Sequence, residues 1–434
     1  MAITKQQQPT TPNQANGDLL YVLTSTNTNR PQFQYVMEVS DGTTTSTIKQ
    51  QPNPSGKGVF NIGQIVRDMV SIDEVWRTAE YATSPLSATT INTVFYEETG
   101  SSISASVGYS SGTSGSSMYV LNGVNDYDSW NFPSGSYYTS SIASQPDTFT
   151  LQHTLTNAPL TQSIREGEYA TISFINGNFN GSTTKAQDIL YTQFTWYDSS
   201  GALLQYDETW NTQANGGGPR INQLDLWDVA VATQTDATRL IHIGVGHQNL
   251  IDNGVVPPSG WASYSLVVTG QGDDGLENNG AEYASLYFTK SNGRCGYDGT
   301  RFAFLNELGV WDYYTFPLAS SKRDAIERNS YEQSFVDYST STNTITYDTA
   351  RRGTNIYSIK YDEARSAESD YLSQEDADWL RELVESPSVY IQDGTIFRPI
   401  VISNVDYQYK INPRTDKMYR LSIQYKVAVQ RFGR

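Results

Sequence analysis

The histidines are the first side chains to test for chemistry, because imidazole serves as a base, a nucleophile or a zinc ligand. His242 and His247 lie five residues apart in HIGVGH, at the end of a predicted strand. Alternation along a strand would turn these two side chains to opposite faces. His153 is distant in the chain, and no third ligand follows at a spacing typical of zinc. The pattern predicts structural or exposed histidines, with a zinc site as the alternative.

Cys295 and an acidic loop are the next candidates. Cys295 is the only cysteine, so the chain has no internal disulfide framework. No signature of a catalytic partner accompanies it, which predicts an inert buried thiol. The segment 270–280, GQGDDGLENNG, is rich in carboxylates but lacks the spaced acids and closing glutamate of an EF-hand loop. We expect a solvated acidic loop there, with a bound calcium ion as the alternative.

Paired carboxylates occur at Glu97-Glu98 and at Asp207-Glu208. A glycosidase needs two carboxyl groups about 5–10 Å apart across a sugar, whereas neighbours on a strand point to opposite sides of the sheet. Phosphate-binding, nucleophile-elbow and HExxH motifs do not occur in the sequence. We therefore expect no enzymatic activity, no cofactor and no resident metal.

The bulk composition favours strands over helices. Aromatic residues make up 12% of the chain, with 30 Tyr and 8 Trp, which excludes intrinsic disorder for most of it. Abundant Tyr, Thr, Ser, Asn and Gly predict strands joined by polar turns. No apolar run is long enough to span a membrane, and no apolar segment follows Met1. We expect a mainly β protein without a membrane-spanning segment or a signal peptide.

Negative charge is concentrated in the middle of the chain. The net charge is −17, and residues 151–319 contain 7 basic and 17 acidic residues. Such a region repels phosphate backbones, so we expect no nucleic-acid partner. From Lys410 onward, seven basic residues accompany a single acid, Asp416. This segment is either a solvated basic hairpin or a docking face for an acidic neighbour.

The order of strands and turns predicts a mainly β, multidomain chain, in which antiparallel β-sandwich domains precede a C-terminal α+β domain. Residues 1–18 are polar and form either a flexible leader or a strap that orders on a neighbouring subunit. The predicted domains are a β-sandwich-like domain with a short helix and a Ser/Gly-rich loop (19–148), an acidic antiparallel β-sandwich (149–316), and an α+β domain with one amphipathic helix and a basic C-terminal hairpin (317–434).

The predicted C-terminal domain begins with a charged segment and contains the clearest helix. Residues 320–329 predict a short helix or a linker. Ser373 and Asp376 have the spacing of a capping box at a helix start, and Trp379 and Leu383 lie on the apolar face that follows. A long hairpin closes the chain.

Two groups of aromatic residues remain. Tyr127, Trp130 and Tyr137 follow a Ser/Gly-rich loop; an exposed aromatic loop stacks on sugar rings or fills a partner's pocket, whereas buried rings pack on their own sheet. The stretch 294–316, RCGYDGTRFAFLNELGVWDYYTF, predicts two strands joined by a turn. We expect its core residues to pack at the seam between the acidic sandwich and the C-terminal domain; they are Phe302, Phe304 and Trp311.

Three groups of segments, in order from about residue 33 to 429, carry a family resemblance. They are FQYVMEV with KQQPNPSGKGVFNIGQIVRDMV, RLIHIGVGHQNL with CGYDGTRFAFLNELGVWDYYTF, and DYLSQEDADWLRELVESPSVYI with RPIVISNVDYQYKINPRTDKMYRLSIQYKVA. Together they resemble virion structural proteins of tailed phages, of the kind found in phages of marine and Bacteroidetes-type hosts. The resemblance implies a tail, neck or baseplate component, assembled in the host cytoplasm with copies of itself and other virion proteins. It carries over no catalytic residue.

We therefore expect a structural protein that acts by subunit packing in a homo-oligomer. The predicted assembly surface combines the apolar helix face with the basic hairpin and comprises Trp379, Leu383, Lys410, Arg414, Lys417 and Arg420. One alternative is a receptor-recognition protein that binds host-surface glycan through Tyr127, Trp130 and Tyr137. Others are a capsid decoration or spike protein and a hydrolase of surface polysaccharide.

Overall fold

The structure is a computed structural model. Strands in several antiparallel sheets dominate the part of the chain that it describes, which confirms the predicted mainly β, multidomain fold. The described residues are 3–78, 81–84, 86–124, 154–175, 189–206, 223–225, 240–270, 282–291, 299–318, 320–334, 336–347, 353–409 and 419–428.

The chain forms two compact units rather than the domains predicted with boundaries after residues 148 and 316. Unit 1 contains Met1–Asn292, Ala303–Tyr314 and Trp379–Pro387, and unit 2 contains Gly293–Phe302, Thr315–Asp378 and Ser388–Arg434. The division passes through the central stretch 294–316, so that its residues belong to both units.

The N-terminal part of unit 1 consists of short and medium strands around one small helix. Its elements are β1 (Ile3–Gln7), β2 (Asn13–Asn16), β3 (Leu20–Ser25), β4 (Gln34–Ser40), β5 (Thr45–Gln50), β6 (Lys57–Asn61), α1 (Gly63–Arg67), β7 (Tyr81–Thr83), β8 (Ala88–Gly100), β9 (Val107–Tyr109), β10 (Thr113–Ser114) and β11 (Met118–Val124). One sheet has the order β1-β3-β6, and a second has the order β2-β11-β8-β4-β5, with β9 and β10 also on β8.

Aromatic side chains fill the core of this part. Tyr35, Met37 and Val39 alternate along β4 and are fully buried. The rings of Tyr21 and Phe95 pack against the same core with their centroids 5.8 Å apart. Burial of such rings is a large apolar contribution to stability.

Residues 3–18, the described part of the predicted N-terminal arm, do not form a free polar arm. β1 pairs antiparallel with β3, and β2 pairs parallel with β11. Ile3 and Ala15 are buried in the core. Backbone pairing orders this polar sequence within its own chain, which its composition did not predict.

The second part of unit 1 contains a larger and a smaller sheet, and the smaller sheet also includes β7. The elements are β12 (Thr161–Ile164), β13 (Thr171–Ile175), β14 (Ile189–Tyr197), β15 (Leu203–Tyr206), β16 (Gln223–Asp225), β17 (Leu240–Gly244), α2 (His247–Asp252), β18 (Ser263–Gly270) and β19 (Glu282–Lys290). The larger sheet has the order β12-β19-β18-β14-β15, with β16 also on β14, and the smaller one the order β13-β17-β7. β14 and β15 form an antiparallel hairpin that turns through residues 198–201.

Unit 2 is built on a sheet of long strands. The remaining elements of the chain are β20 (Thr300–Leu305), β21 (Trp311–Phe316), β22 (Ser321–Glu332), β23 (Val336–Ser339), β24 (Thr344–Tyr347), β25 (Thr354–Glu368), α3 (Gln374–Glu385), β26 (Val389–Asp393), β27 (Ile396–Tyr409) and β28 (Tyr419–Val427). The sheet order is β21-β20-β26-β27-β28-β25-β22, and β23 pairs with β24 alone. The division between the units passes through β20, β21 and α3.

One sequence prediction in this region is wrong and one is confirmed. Residues 320–329, predicted as a short helix or linker, lie almost entirely in the long strand β22. Ser373 caps α3: its Oγ accepts a hydrogen bond from the Asp376 N–H at 3.0 Å and donates to Asp376 Oδ2 at 2.7 Å. The predicted capping box is therefore present.

Candidate assembly surface

The central stretch supplies core to both units. In unit 2, Phe302 is fully buried and packs edge-on against Phe316 and Tyr425, with centroids 4.8 and 5.2 Å away. In unit 1, Phe304 and Trp311 are buried. All three residues proposed as seam core are therefore buried, and none offers a surface for a partner.

Trp311 is tied to the N-terminal part of unit 1. Its ring meets the Trp76 ring edge-on, with centroids 4.8 Å apart, and its Nε1–H donates to the Asp73 carbonyl oxygen at 2.7 Å. The turn before it needs glycine: Gly309 has a φ of +86°, and a Cβ there would lie 2.5 Å from the Asn122 carbonyl. The turn thus lies directly against the backbone of β11.

The predicted assembly residues on the helix are covered by the chain itself. Trp379 packs against Phe304 and Tyr314, and its Nε1–H donates to Asp312 Oδ2 at 2.8 Å. Leu383 is fully buried. The apolar face of α3 that suggested an assembly surface is intramolecular core, and this part of the prediction is wrong.

A polar cluster lies beside Trp379 within unit 1. Asp312 Oδ2 also accepts a hydrogen bond from Thr156 Oγ1 at 2.8 Å. Glu382 accepts hydrogen bonds from the Asn157 amide at 2.9 Å and from the Glu307 backbone N–H at 3.0 Å. Burial raises the pKa of Asp312, and burial together with the charge of Asp312 raises the pKa of Glu382. The cluster favours protonated carboxyl groups.

The two histidines are structural. His242, on β17, is buried between Ser84, which follows β7, and Ser173 on β13. The Ser173 hydroxyl lies 2.7 Å from Nδ1 of the ring, and the Ser84 hydroxyl contacts Nε2. Burial lowers the pKa of His242 to about 3. His247 begins α2, accepts a hydrogen bond from the Gly167 N–H at 3.1 Å and stacks on Trp261. Among the described residues, no group of three or more His, Cys, Asp or Glu side chains is placed to hold a metal ion.

Several predicted site residues lie outside the described residues. They are Lys410, Arg414 and Lys417 of the basic hairpin, Tyr127, Trp130 and Tyr137 of the aromatic loop, Cys295, Asp207-Glu208 and most of the acidic loop 270–280. Arg420, at the start of β28, is described: its side chain is half exposed and forms an ion pair with Glu368 on the neighbouring strand.

Seven exposed large apolar side chains lie in one region of unit 2 that the sequence analysis did not propose as a surface. β22 pairs with β25 over its whole length, but β25 pairs with β28 only from Ala364 to Glu368. Beyond that point, among the described residues, β22 and β25 form a ribbon of two strands. β23 and β24 form a second hairpin between them in the chain. We call residues 324–363 the arm.

The arm ribbon has one apolar face. Ile326 lies directly opposite Tyr361, Arg328 opposite Ile359 and Ser330 opposite Ile356, so the apolar side chains of these pairs project to the same side. Ile326 and Ile356 are about half exposed. On the other face, Tyr331 and Tyr357 contact one another near the end of the ribbon.

The hairpin β23–β24 separates apolar from polar residues completely. Val336 lies opposite Tyr347, and Tyr338 opposite Ile345, which places four apolar side chains on one face. Tyr338, Ile345 and Tyr347 are 59%, 59% and 67% exposed. The residues between them form the polar face; they are Asp337, Ser339, Thr344 and Thr346.

Such an arm is suited to intermolecular packing rather than to catalysis. An isolated two-stranded hairpin is at best marginally stable in water, because it has no second layer on which to bury its apolar face. The sequence did contain a signal, since apolar residues alternate in TITY (344–347). The charged residues of β22 hid the strand that completes the arm.

Comparisons with known proteins include two structural similarities, both with low TM-scores. No protein-family model matches the chain, and no curated protein matches it. Among solved structures, it is similar to a chain of the "Virion of native gene transfer agent (GTA) particle", with 12% identity and a TM-score of 0.18 over 33% of this chain and 99% of that chain. It is also similar to "Marsupial T cell receptor", with 7% identity and a TM-score of 0.18 over 98% and 92% of the two chains. At these TM-scores neither likeness carries an argument about this chain.

No helix in the described part of the chain has the length and apolarity to cross a membrane.

Proposed function

We propose that this chain is a structural component of a tailed-phage virion, in the tail, neck or baseplate. It acts by subunit packing in a homo-oligomeric assembly, catalyses no reaction and is assembled in the host cytoplasm. The resemblance of three sequence segments to phage virion proteins supports the location in a particle. The arm supports the mode of action, and it is the observation that carries the proposal.

The size of the exposed apolar surface favours a protein partner. An aromatic side chain has about 150–250 Å² of surface, so Tyr338 and Tyr347, at 59% and 67% exposure, together present about 200–300 Å² to solvent. With Ile345 and Val336 beside them, the hairpin face reaches the few hundred Å² at which an apolar patch marks an interaction site. Packing against a neighbouring subunit would supply the second layer that the hairpin lacks.

A pair of matched double variants tests the mode of action. Tyr338→Lys with Ile345→Lys places charges on the apolar face, whereas Ser339→Lys with Thr344→Lys places the same charges on the adjacent cross-strand pair of the polar face. Sedimentation velocity would measure the oligomeric state, and circular dichroism would verify the fold. We expect the first variant to remain folded but to lose oligomers, and the control to assemble like the unmodified chain. Equal assembly of both variants would refute the role of the arm.

The location in the particle needs a separate experiment. Mass spectrometry of purified phage particles, together with a cryo-electron microscopy map, should find several copies of this chain in the tail, neck or baseplate. Its absence from mature particles would contradict the virion proposal even if the purified protein assembled through its arm.

A further inference from the structure

β22 is an edge strand with an unusual degree of exposure. Among the described residues it is the last strand of the unit 2 sheet, and β25 is its partner on the inner side. Every side chain of β22 whose burial the structure describes is exposed, on both faces of the strand. An edge strand presents unpaired N–H and C=O groups that can pair with another chain. β22 is 12 residues long, more than enough for a stable ladder.

The charges along β22 are complementary to those of a second, antiparallel copy of the same strand. Asp324 precedes Ile326 by two residues and Arg328 follows it by two. If two copies of the strand run antiparallel about a two-fold axis at Ile326, each Asp324 lies directly opposite the other copy's Arg328. In this register Arg323 faces Asn329, Glu327 faces Ala325 and Lys322 faces Ser330, so no like charges meet. Opposite charges directly across a strand pair are favourable, and like charges are unfavourable.

Moving the axis by one residue shows how the charges select among registers, because such a step shifts one copy by two residues and keeps every side chain on its own face. With the axis at Ala325, Lys322 would face the other copy's Arg328 on both sides of the axis. With the axis at Glu327, the two Glu327 side chains would face each other. The register about Ile326 avoids these contacts between like charges.

The apolar residues support the same register. Ile326 is opposite Tyr361 within one copy. An axis at Ile326 places the two isoleucines side by side, so that a row of four apolar side chains, two Tyr361 and two Ile326, crosses the junction on one face. These side chains would cover one another at the edge where Ile326 is now 53% exposed.

We propose that the partner of β22 is β22 of a second copy of this chain, paired antiparallel about a two-fold axis at Ile326. The two seven-stranded sheets thereby become one continuous sheet. This inference rests on the proposed function, because it specifies one of the contacts by which the subunits assemble. The interface is isologous, since the same strand contributes both sides.

Cysteine cross-linking tests the register. In a Cys295→Ala background, which removes the only native thiol, Ile326→Cys places the two thiols at the axis, where directly opposite Cβ atoms lie about 4.5–5.5 Å apart. Ser330→Cys is the matched control on the same face of the same strand. Its two thiols would lie about 26 Å apart at about 3.3 Å per residue. Under mild oxidation we expect a disulfide-linked dimer for Ile326→Cys and none above background for Ser330→Cys. Equal cross-linking of both, or none at 326 in a dimer, would overturn the register.

A charge exchange tests the interface without any new thiol. Asp324→Arg alone places two pairs of arginines opposite one another, and we expect the dimer dissociation constant to rise about tenfold or more. Arg328→Asp alone should have the same effect. The double exchange, Asp324→Arg with Arg328→Asp, restores both pairs and should return the dissociation constant to near its original value. Within one copy these residues lie about 13 Å apart along the strand, so rescue would not arise from an intramolecular pair.

The outcomes separate this inference from the proposed function. Suppose that Tyr338→Lys with Ile345→Lys disrupts the oligomers, but the charge exchange has no effect and position 326 does not cross-link. In that case the pairing of β22 is wrong, while assembly by subunit packing stands. If the unmodified chain stays monomeric at high concentration, both are wrong. Weakening by each single charge variant, with recovery in the double variant, supports the pairing.

Discussion

Trp311 gives the sharpest test of the packing in unit 1. Replacing it with alanine removes a side chain that is 2% exposed, its edge-on contact with Trp76, and the hydrogen bond from Nε1 to the Asp73 carbonyl. Large-to-small substitutions of buried aromatic residues cost about 3–5 kcal/mol. The Asp73 carbonyl also loses its hydrogen-bond donor, which costs about 1–3 kcal/mol more if water does not reach it. We expect the free energy of unfolding to fall by about 4–8 kcal/mol, which is a large part of a typical total stability.

Trp311→Phe separates the two contributions. Phenylalanine retains most of the aromatic packing but cannot donate a hydrogen bond, so we expect a loss of about 1–3 kcal/mol. Tyr371→Ala is a matched surface control, because this aromatic side chain is 61% exposed; a change within about 0.5 kcal/mol is expected.

Urea unfolding followed by circular dichroism would measure these differences, and hydrogen exchange would assign them to unit 1. Circular dichroism is preferable to fluorescence because the substitution itself removes an indole. A loss below about 1 kcal/mol for Trp311→Ala, with unchanged exchange in β21, would refute the assignment of Trp311 to the core.

Three further predictions concern titration and capping. Because burial raises the pKa of Asp312, the free energy of unfolding should fall by up to about 1.4 kcal/mol per pH unit as the pH rises from about 4 through the raised pKa. Asp312→Asn, measured by urea unfolding at several pH values, should flatten this dependence on pH. An unchanged slope would exclude Asp312 as its source. His242 gives the opposite dependence on pH: because its pKa is lowered, the free energy of unfolding should fall as the pH drops below about 6.5 toward 3. NMR should show a neutral His242 ring at pH 5. A protonated ring at that pH would contradict its burial. Ser373→Ala should cost about 1 kcal/mol by removing the cap of α3, and Ser373→Thr, as a control, should restore most of it; equal stability of the two variants would argue against the cap.

Sequence patterns were reliable where local chemistry decides structure. The capping-box spacing of Ser373 and Asp376 correctly predicted where α3 begins. β22 was missed because six of its twelve residues are charged and both of its faces are exposed. A strand without a buried face lacks the period-two alternation that identifies strands.

The candidate surface was harder to predict than the fold. The apolar face around Trp379 and Leu383 has the pattern of a docking helix, but an amphipathic pattern does not distinguish cover by the same chain from cover by another. Residues 1–18 showed the reverse problem, since their polar composition concealed two strands. Their pairing partners, β3 and β11, are fixed by contacts that only the folded chain reveals.

The interleaving of the two units along the chain has a consequence for synthesis. Leu308 and Val310 belong to a buried cluster with Tyr119, Leu155 and Leu240, and unit 1 also includes residues 379–387. A nascent chain released from the ribosome only as far as residue 292 therefore lacks part of the core of its first unit. That unit cannot reach its final stability before most of the second has been translated, so the two should mature together after translation rather than one after the other.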